Sequence, residues 1–162
     1  MWRADSRQTI AGGMTGMGIH QVDLMILFVG KMVRVHAKAK RQLLELAVDD
    51  NITVLIDFEN GATGVLSTLT TTSSIWRLRI LGSSGWIEMI GENRLLISEG
   101  NTLHEITFPS TSTERIELEA FVRAISGDDI YPICAEDVLH GVSVLEAVAA
   151  SGKDCRMIEV AA

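Results

Sequence analysis

The feature that most constrains the fold is a succession of short β-type segments between residues 33 and 107. It begins with VRVHAKAK, whose strict alternation of apolar and basic residues is typical of a half-exposed strand. NITVLIDF and TGVLSTLTTT follow, and the short loop ENGA between them predicts an antiparallel hairpin. Further segments of similar length are separated by Gly, Ser and Asn. The pattern therefore predicts six or seven consecutive strands, mostly antiparallel.

Helical periodicity lies on both sides of these strands. The first helix is predicted over 17–29 and is ended by Gly30. Two more are predicted over 114–126 and 135–151, ended by Gly127 and Gly152, and CRMIEV is predicted as a final strand. The apolar stripes of the three helices contain Met17, Val22, Met25, Phe28 and Val29; Ile116, Leu118, Phe121, Val122 and Ile125; and Val138, Leu139, Val142, Leu145 and Val148.

This order of elements predicts an α+β fold, in which a large and predominantly antiparallel sheet carries helices on one face. The 162 residues are enough for one compact domain, which we expect to span 1–162. In the segment from Trp76 to Leu81, the apolar Leu78 and Ile80 alternate with arginines. The helix-free face is thus expected to carry apolar surface and to form a homodimer or homotetramer, sheet against sheet.

Composition excludes several classes of partner. The formal net charge of −7 argues against nucleic-acid binding, which requires basic surface. The longest apolar run, 22–30, is shorter than a membrane-spanning helix, and the first ten residues lack the pattern of a signal peptide. The two cysteines form neither a disulfide framework nor a zinc motif. We expect a soluble, cytoplasmic protein.

The candidate functional residues are His20 and Asp23, at the start of the first predicted helix. An imidazole can take or give a proton near neutral pH, and an aspartate one turn further on could orient it. Equally, both residues could be buried and structural, since a carboxylate in an apolar helix must be paired. They could also be two metal ligands, but no third ligand is spaced to join them, so no metal is expected. His104 and His140 are expected to be surface or hydrogen-bonded residues.

Several segments, in this order, carry a resemblance to a known family: WRAD, AGGMTGMGIHQVDL, FVGKMVRVHA, DDNITVLIDFENGATGVLS, LRILGSSGWIEM, and EAFVRAISG through DCRMIEV. The chain resembles the C-terminal domain of the glucose-fructose oxidoreductase and inositol dehydrogenase family, Gfo/Idh/MocA, over essentially its whole length. That domain is of the dihydrodipicolinate-reductase-like type.

The resemblance implies the substrate-binding and oligomerising half of an oxidoreductase that uses NAD or NADP on a sugar- or polyol-like substrate. It implies that His20 contacts the reacting hydroxyl or carbonyl and that Arg3 and Asp23 contact the substrate. The nucleotide-binding Rossmann half is not in these residues, because no strand followed by GxGxxG occurs. The glycines at 12, 13, 16 and 18 do not follow a buried strand. This domain alone is therefore expected to bind no cofactor and to be catalytically incompetent.

One position departs from the family pattern. Many relatives carry an aspartate four residues before the histidine, where this chain has Gly16. The change indicates a different substrate class, a shifted acid or base, or a loss of dehydrogenase activity. The alternatives to a dehydrogenase half are a stand-alone, non-enzymatic ligand-binding protein and a purely structural dimerisation module.

Overall fold

The computed structural model describes Asp5 and residues 7–161 and confirms the α+β fold with antiparallel sheets. Its elements follow the predicted order of one helix, seven strands, two helices and a short last strand. Their bounds are α1 Gly18–Val29, β1 Met32–Lys40, β2 Asn51–Phe58, β3 Thr63–Leu69, β4 Arg77–Gly82, β5 Gly85–Ile90, β6 Arg94–Glu99, β7 Thr102–Thr107, α2 Thr113–Ser126, α3 Ala135–Asp154 and β8 Ile158–Glu159.

The strands are arranged in two four-stranded sheets, and not in one continuous ladder. Sheet 1 has the order β3-β2-β1-β8 and sheet 2 the order β4-β5-β6-β7, with antiparallel neighbours throughout. The ladder ends at Leu69 and resumes at Arg77 because TTTSSIW forms a turn and irregular backbone. Ser and Thr hydroxyls can hydrogen-bond to the nearby backbone and so support a turn at such a position.

The sheets belong to two compact units. Unit 1 contains sheet 1, α1 and α3, and its described part is Asp5 and residues 7–71 and 133–161. Unit 2, Thr72–Pro132, contains sheet 2 and α2. Within Asp5 and residues 7–161, none of the helices combines the length and the apolar character that a bilayer-spanning segment needs.

Unit 1 has a closed hydrophobic core between one face of sheet 1 and the two helices α1 and α3. The helix α3 packs on β1 and on α1, and the apolar side chains between these elements are almost completely buried. This arrangement confirms the predicted packing of helices on one face of a sheet. The fully buried members are Met14, Val22, Met32, Val35, Ile52, Val54 and Val144.

Three residues of α1 and β1 or next to them were predicted to face the core but lie outside it. Met17 and Phe28 are exposed, since the buried line of α1 runs through Gly18, Val22 and Met25. Val33 is also exposed, because the register of β1 shifts between Met32 and Arg34.

The helix α3 differs from its prediction in both length and orientation. It continues past Gly152 and ends at Asp154, with Cys155 as its C-cap in the left-handed conformation. Gly152 serves close packing instead, since an added Cβ would be 3.0 Å from the Ala39 Cβ. Val138, Leu139 and Val142 are exposed and lie outside the core, because they are not on the buried side of the helix. The buried line runs through His140, Gly141, Val144, Leu145, Ala147, Val148 and Ser151.

Unit 2 has a sheet with two unlike faces. One face carries two cross-strand rows of mostly apolar side chains, all at least partly accessible: Leu78, Met89, Leu95 and Ile106, and Ile80, Ile87, Ile97 and His104. The opposite face carries a buried Glu88, which is paired with Arg79 at 2.8 Å and with Arg77 at 3.7 Å.

The helix α2 begins at Thr113, one residue before its predicted start, with Ser112 as its N-cap, and it ends at Gly127 in the left-handed conformation. Its predicted apolar stripe is present as a pattern, but no residue of α2 is buried. Phe121 makes an edge contact with Tyr131, with ring centroids 6.1 Å apart.

Candidate functional site

The glycine cluster before α1 packs the chain closely against the loop between β1 and β2. Gly12 has a φ of +51°, and a side chain at this position would run into the backbone of Asp49. The Gly13 N–H donates to the Asp49 carbonyl oxygen at 3.2 Å. Gly18 lies against Met14 and Thr68, so the start of α1 is pressed against β3. These glycines allow close backbone approach within unit 1.

His20 lies in the first turn of α1 and is exposed. The N-cap position is Met17, whose side chain caps no backbone N–H, and no acidic residue lies in the first turn. The N–H groups at a helix start carry partial positive charge and favour an anionic or strongly polar ligand oxygen. The imidazole is therefore presented to solvent beside a mildly electropositive helix end.

Asp23 lies one turn after His20 and contacts the neighbouring helix. A Cβ added at Gly141 of α3 would be 3.1 Å from Asp23 Oδ1 and 3.5 Å from Ile19 Cδ1. Partial desolvation raises the pKa of the Asp23 carboxyl above its usual value, and the nearby His20 acts in the opposite direction. The structure thus brings His20 and Asp23 together, with Asp23 also at the junction of α1 and α3.

The remaining predicted site residue, Arg3, lies outside the described residues, as does Trp2 of the same segment. Gly16, at the position where many relatives are expected to carry aspartate, lies in the turn that leads into α1 and is half-buried.

The other histidines occupy different environments. His36 is half-buried on the outer face of β1, and His104 is exposed on β7. His140 is buried in α3, and its Nε2 accepts a hydrogen bond of 3.1 Å from the Met32 N–H. The expectation of a hydrogen-bonded residue is confirmed for His140. Its spacing of four from Val144 is the sequence signal that places it on the buried line of α3.

Metal ligation finds no support in the geometry of the described residues. Within Asp5 and residues 7–161, no three His, Cys, Asp or Glu side chains converge as a metal site would require. The absence of a metal stays a prediction. A shallow depression on the outer face of sheet 1 is lined by Lys38, Lys40, Gln42, Asn51 and Thr53, none of which belongs to α1.

The comparison with protein families agrees with this fold. The model of the GFO/IDH/MocA C-terminal domain matches residues 1–88, which include α1, sheet 1 up to β3, and the first strands of sheet 2. The chain belongs to this family of C-terminal domains. No curated protein matches the sequence significantly.

Solved structures share the fold at low sequence identity. An NAD binding oxidoreductase from Klebsiella pneumoniae superposes with a TM-score of 0.86 at 22% identity, over 100% of this chain and 54% of the other. The aldose-aldose oxidoreductase from Caulobacter crescentus, complexed with glycerol, gives 0.85 at 19%, over 98% and 50%. Levoglucosan dehydrogenase, in complex with NADH and levoglucosan, gives 0.86 at 17%, over 99% and 53%. The chain thus spans about half the length of these proteins.

Proposed function

We propose that this chain is the substrate-binding and oligomerising half of an NAD(P)-dependent oxidoreductase that acts on a sugar- or polyol-like substrate. The observation that carries the proposal is the exposed His20 on the first turn of α1, inside the segment that matches the family model. The solved relatives support the substrate class, because one is described with glycerol and another with levoglucosan.

His20 is assigned the proton transfer. In the oxidation of an alcohol, the hydroxyl proton must leave the oxygen as hydride departs from the carbon that bears the hydroxyl. An imidazole, which in general titrates near neutral pH, can accept that proton. The uncapped start of α1 supports the assignment, since its N–H groups would stabilise negative charge developing on the substrate oxygen.

Asp23 and Arg3 are proposed as substrate contacts. Asp23 lies beside His20, and with its pKa raised it can take up a proton more readily than an ordinary aspartate. Arg3 would hold a hydroxyl or carboxylate through its planar set of donors. Asp23 is held against α3, so its role includes fixing the helix on which His20 lies.

The nicotinamide cofactor is proposed to bind in another part of the parent protein. The residues of this chain do not fit a dinucleotide, since no strand is followed by GxGxxG and the glycines at 12, 13 and 18 are used for close packing. Hydride transfer therefore depends on that other part, and this chain by itself is expected to be inactive.

The first experiment is the intact mass of the native gene product, compared with 17.7 kDa. A product larger by a domain of roughly 100 to 150 residues supports the dehydrogenase assignment. A native product of 17.7 kDa rules out hydride transfer by this chain and favours a stand-alone binding protein.

In the larger product, His20→Ala is expected to lower kcat/KM about 10²-fold or more. His36→Ala is the matched control, because His36 lies on the outer face of sheet 1, between Val35 and Ala37, which face the core. Equal activity of the His20 variant and the native protein would remove the catalytic assignment while leaving the fold assignment intact.

The oligomer interface is proposed on the apolar face of sheet 2. Two cross-strand rows centred on Ile87 and Met89 give a continuous apolar surface, which favours association when it is covered. Ile87→Lys should convert the oligomer to a monomer in light scattering at tens of micromolar, on the order of the range for a standard-sized interface. Ser98→Lys, on the opposite face of the same sheet, is the control. A native monomer at that concentration would contradict the proposal.

A further inference from the structure

The corner between α1 and β1 is held by contacts from three directions. The helix ends at Gly30, whose N–H donates to the Ile26 carbonyl oxygen at 3.0 Å. The turn between β2 and β3 contributes the Asn60 side chain, whose Nδ2 donates to the Val29 carbonyl oxygen at 2.7 Å. The Glu59 N–H of the same turn donates to the Lys31 carbonyl oxygen at 2.9 Å.

The third contact comes from α3 and is made by the side chain of a histidine. Nε2 of His140 accepts from the Met32 N–H at 3.1 Å, and Met32 itself is completely buried. An imidazole nitrogen can accept only while it is unprotonated, so the ring proton must lie on Nδ1. Among these contacts at the corner, the one to His140 is made by an imidazole, whose protonation decides whether Nε2 can accept a hydrogen bond.

The next residue of α3 also contacts α1. Gly141 lies against Asp23 and Ile19, and the lack of a side chain at this position lets the two helices approach. The adjacent residues His140 and Gly141 therefore contact α1 itself and the backbone just after it. His20 lies between Ile19 and Asp23 in sequence, on the same turns of the helix.

We propose that His140 is a positioning residue that ties α3 to the α1–β1 corner through the Met32 amide, and so fixes the helix that carries His20. The inference rests on the proposed function of His20. Protonation of His140 would place a ring N–H against the Met32 N–H, and the hydrogen bond between them would be lost. The contacts from Asn60 and Glu59 would remain, so α1 would loosen without unfolding.

Charged groups around His140 act in both directions. Burial lowers the pKa of the imidazole below its usual value, and Lys31 lowers it further, whereas Asp137 of α3 and Glu59 of the β2–β3 turn raise it. Asp23 of α1 lies against the adjoining Gly141. Because the folded-state pKa is lowered, the unfolded chain binds a proton first, and stability falls as the pH drops below about 6.5 and levels off below the folded pKa.

The fold supplies a matched control for the test. The Ala37 N–H, also on β1, donates at 2.8 Å to the Ser151 Oγ, also on α3. Both amides are thus bonded to side chains of the same helix, but the serine does not titrate. Amide hydrogen exchange of the native chain, corrected for intrinsic rates, should show Met32 protection falling by about tenfold or more from pH 7.5 to 5 relative to Ala37. The reason is that, at pH values above the pKa of a group, its protonated fraction rises about tenfold for each unit by which the pH is lowered.

Two variants separate the contact from its titration. In His140→Gln the amide oxygen can accept from Met32 without titrating, so Met32 protection should stay high and follow Ala37 at every pH. In His140→Phe the acceptor is lost, so Met32 protection should be low at every pH, and the His20 ring signals should shift. Equal pH dependence in the native chain and His140→Gln would overturn the proposal, even if His140→Phe fails to fold.

A second outcome would also overturn it: at a single pH, Met32 exchange that is faster in His140→Phe than in the native chain while the backbone amide signals of His20 and Asp23 stay where they are in the native chain. These measurements are made without substrate or cofactor. If His20→Ala had a negligible effect on turnover, the proposed catalytic function of His20 would be wrong. The exchange result for His140 and Met32 would not be affected by that outcome.

Discussion

The two units present contrasting ways of covering an antiparallel sheet. Unit 1 buries one face of sheet 1 beneath α1 and α3, and every buried apolar side chain in the described residues belongs to this unit. Unit 2, which the structure describes in full, buries only the charged Glu88. Its apolar sheet face and the stripe of α2 stay partly or largely accessible. Burial of apolar surface thus stabilises unit 1, whereas unit 2 offers the surface proposed for association.

The largest change in stability is expected when the isoleucines on the central strands of the two sheets are shortened, and comparing them tests this division. Ile52 of β2 is 1% exposed, whereas Ile87 of β5 is half-buried. Ile52→Ala should cost about 2 to 5 kcal/mol of unfolding free energy, because it leaves a cavity in a closed core. Ile87→Ala should cost less than half as much in urea denaturation at low protein concentration.

The two variants should also differ in how their loss of stability depends on protein concentration. If the face around Ile87 is covered in an oligomer, the loss caused by Ile87→Ala should grow with protein concentration, since association stabilises the folded state by mass action. The loss caused by Ile52→Ala should not. Equal losses for the two variants at every concentration would mean that the units do not differ in the way described.

Two glycines with the same left-handed backbone conformation have different surroundings. Gly12 in unit 1 has a φ of +51° and Gly91 in unit 2 a φ of +62°. Alanine at either position meets the left-handed penalty of about 1 to 2 kcal/mol. Only at Gly12 would the added Cβ also meet the backbone of Asp49, whereas no atom lies within 4 Å at Gly91. Thermal unfolding should therefore show a clearly larger loss for Gly12→Ala, and similar losses would argue against the tight packing before α1.

A buried carboxylate organises the longest loop of unit 1. Asp50 is 1% exposed and accepts from the N–H groups of Gln42, Leu43 and Leu44 at 2.7 to 2.9 Å. The bonds from the Leu44 and Leu43 amides lower the pKa of Asp50. The carboxylate thus contributes stability above about pH 3.9, the usual aspartate pKa, and this contribution is lost as the pH falls through the folded value.

Asp50→Asn should lower the Tm at neutral pH and flatten its decline on the acid side. Glu45→Gln, an exposed change of the same kind in the same loop, should do neither. A parallel acid-side decline in the native chain and in Asp50→Asn would show that other carboxylates account for it.

The sequence predicted the elements well because their signals are local. The alternation in VRVHAKAK, the ENGA turn and the helix-ending Gly30 and Gly127 each depend on a few neighbouring residues, and each was found where expected. The division into two sheets was not predicted, because it depends on whether β3 and β4, on either side of the TTTSSIW segment, pair with each other. In the structure each belongs to a different sheet. Likewise, Gly152 looks like a helix end in sequence, whereas in the structure it lies inside α3 against Ala39, a contact that no local pattern shows.

The candidate site was predicted only in part. His20 and Asp23 could be placed on one helix from spacing, and the structure brings them together on α1. The contact of Asp23 with Gly141 and the bond from Met32 to His140 join residues more than 100 positions apart, and no local pattern encodes such pairs. The catalytic role of His20 and the contacts of Arg3 and Asp23 stay predictions.

The smallest expected effect concerns the charges of unit 2. Glu88 is buried and accepts from Arg79 at 2.8 Å, while Glu105 is exposed and pairs with Arg94 at 2.9 Å. Glu88→Gln keeps one acceptor oxygen but removes the charge, so a loss of about 1 kcal/mol is expected. Glu105→Gln should cost no more than about 0.5 kcal/mol, as for other exposed pairs. If both changes prove negligible in urea denaturation, the one buried group of unit 2 contributes little, and the stability of this sheet must come from its backbone pairing and its apolar face.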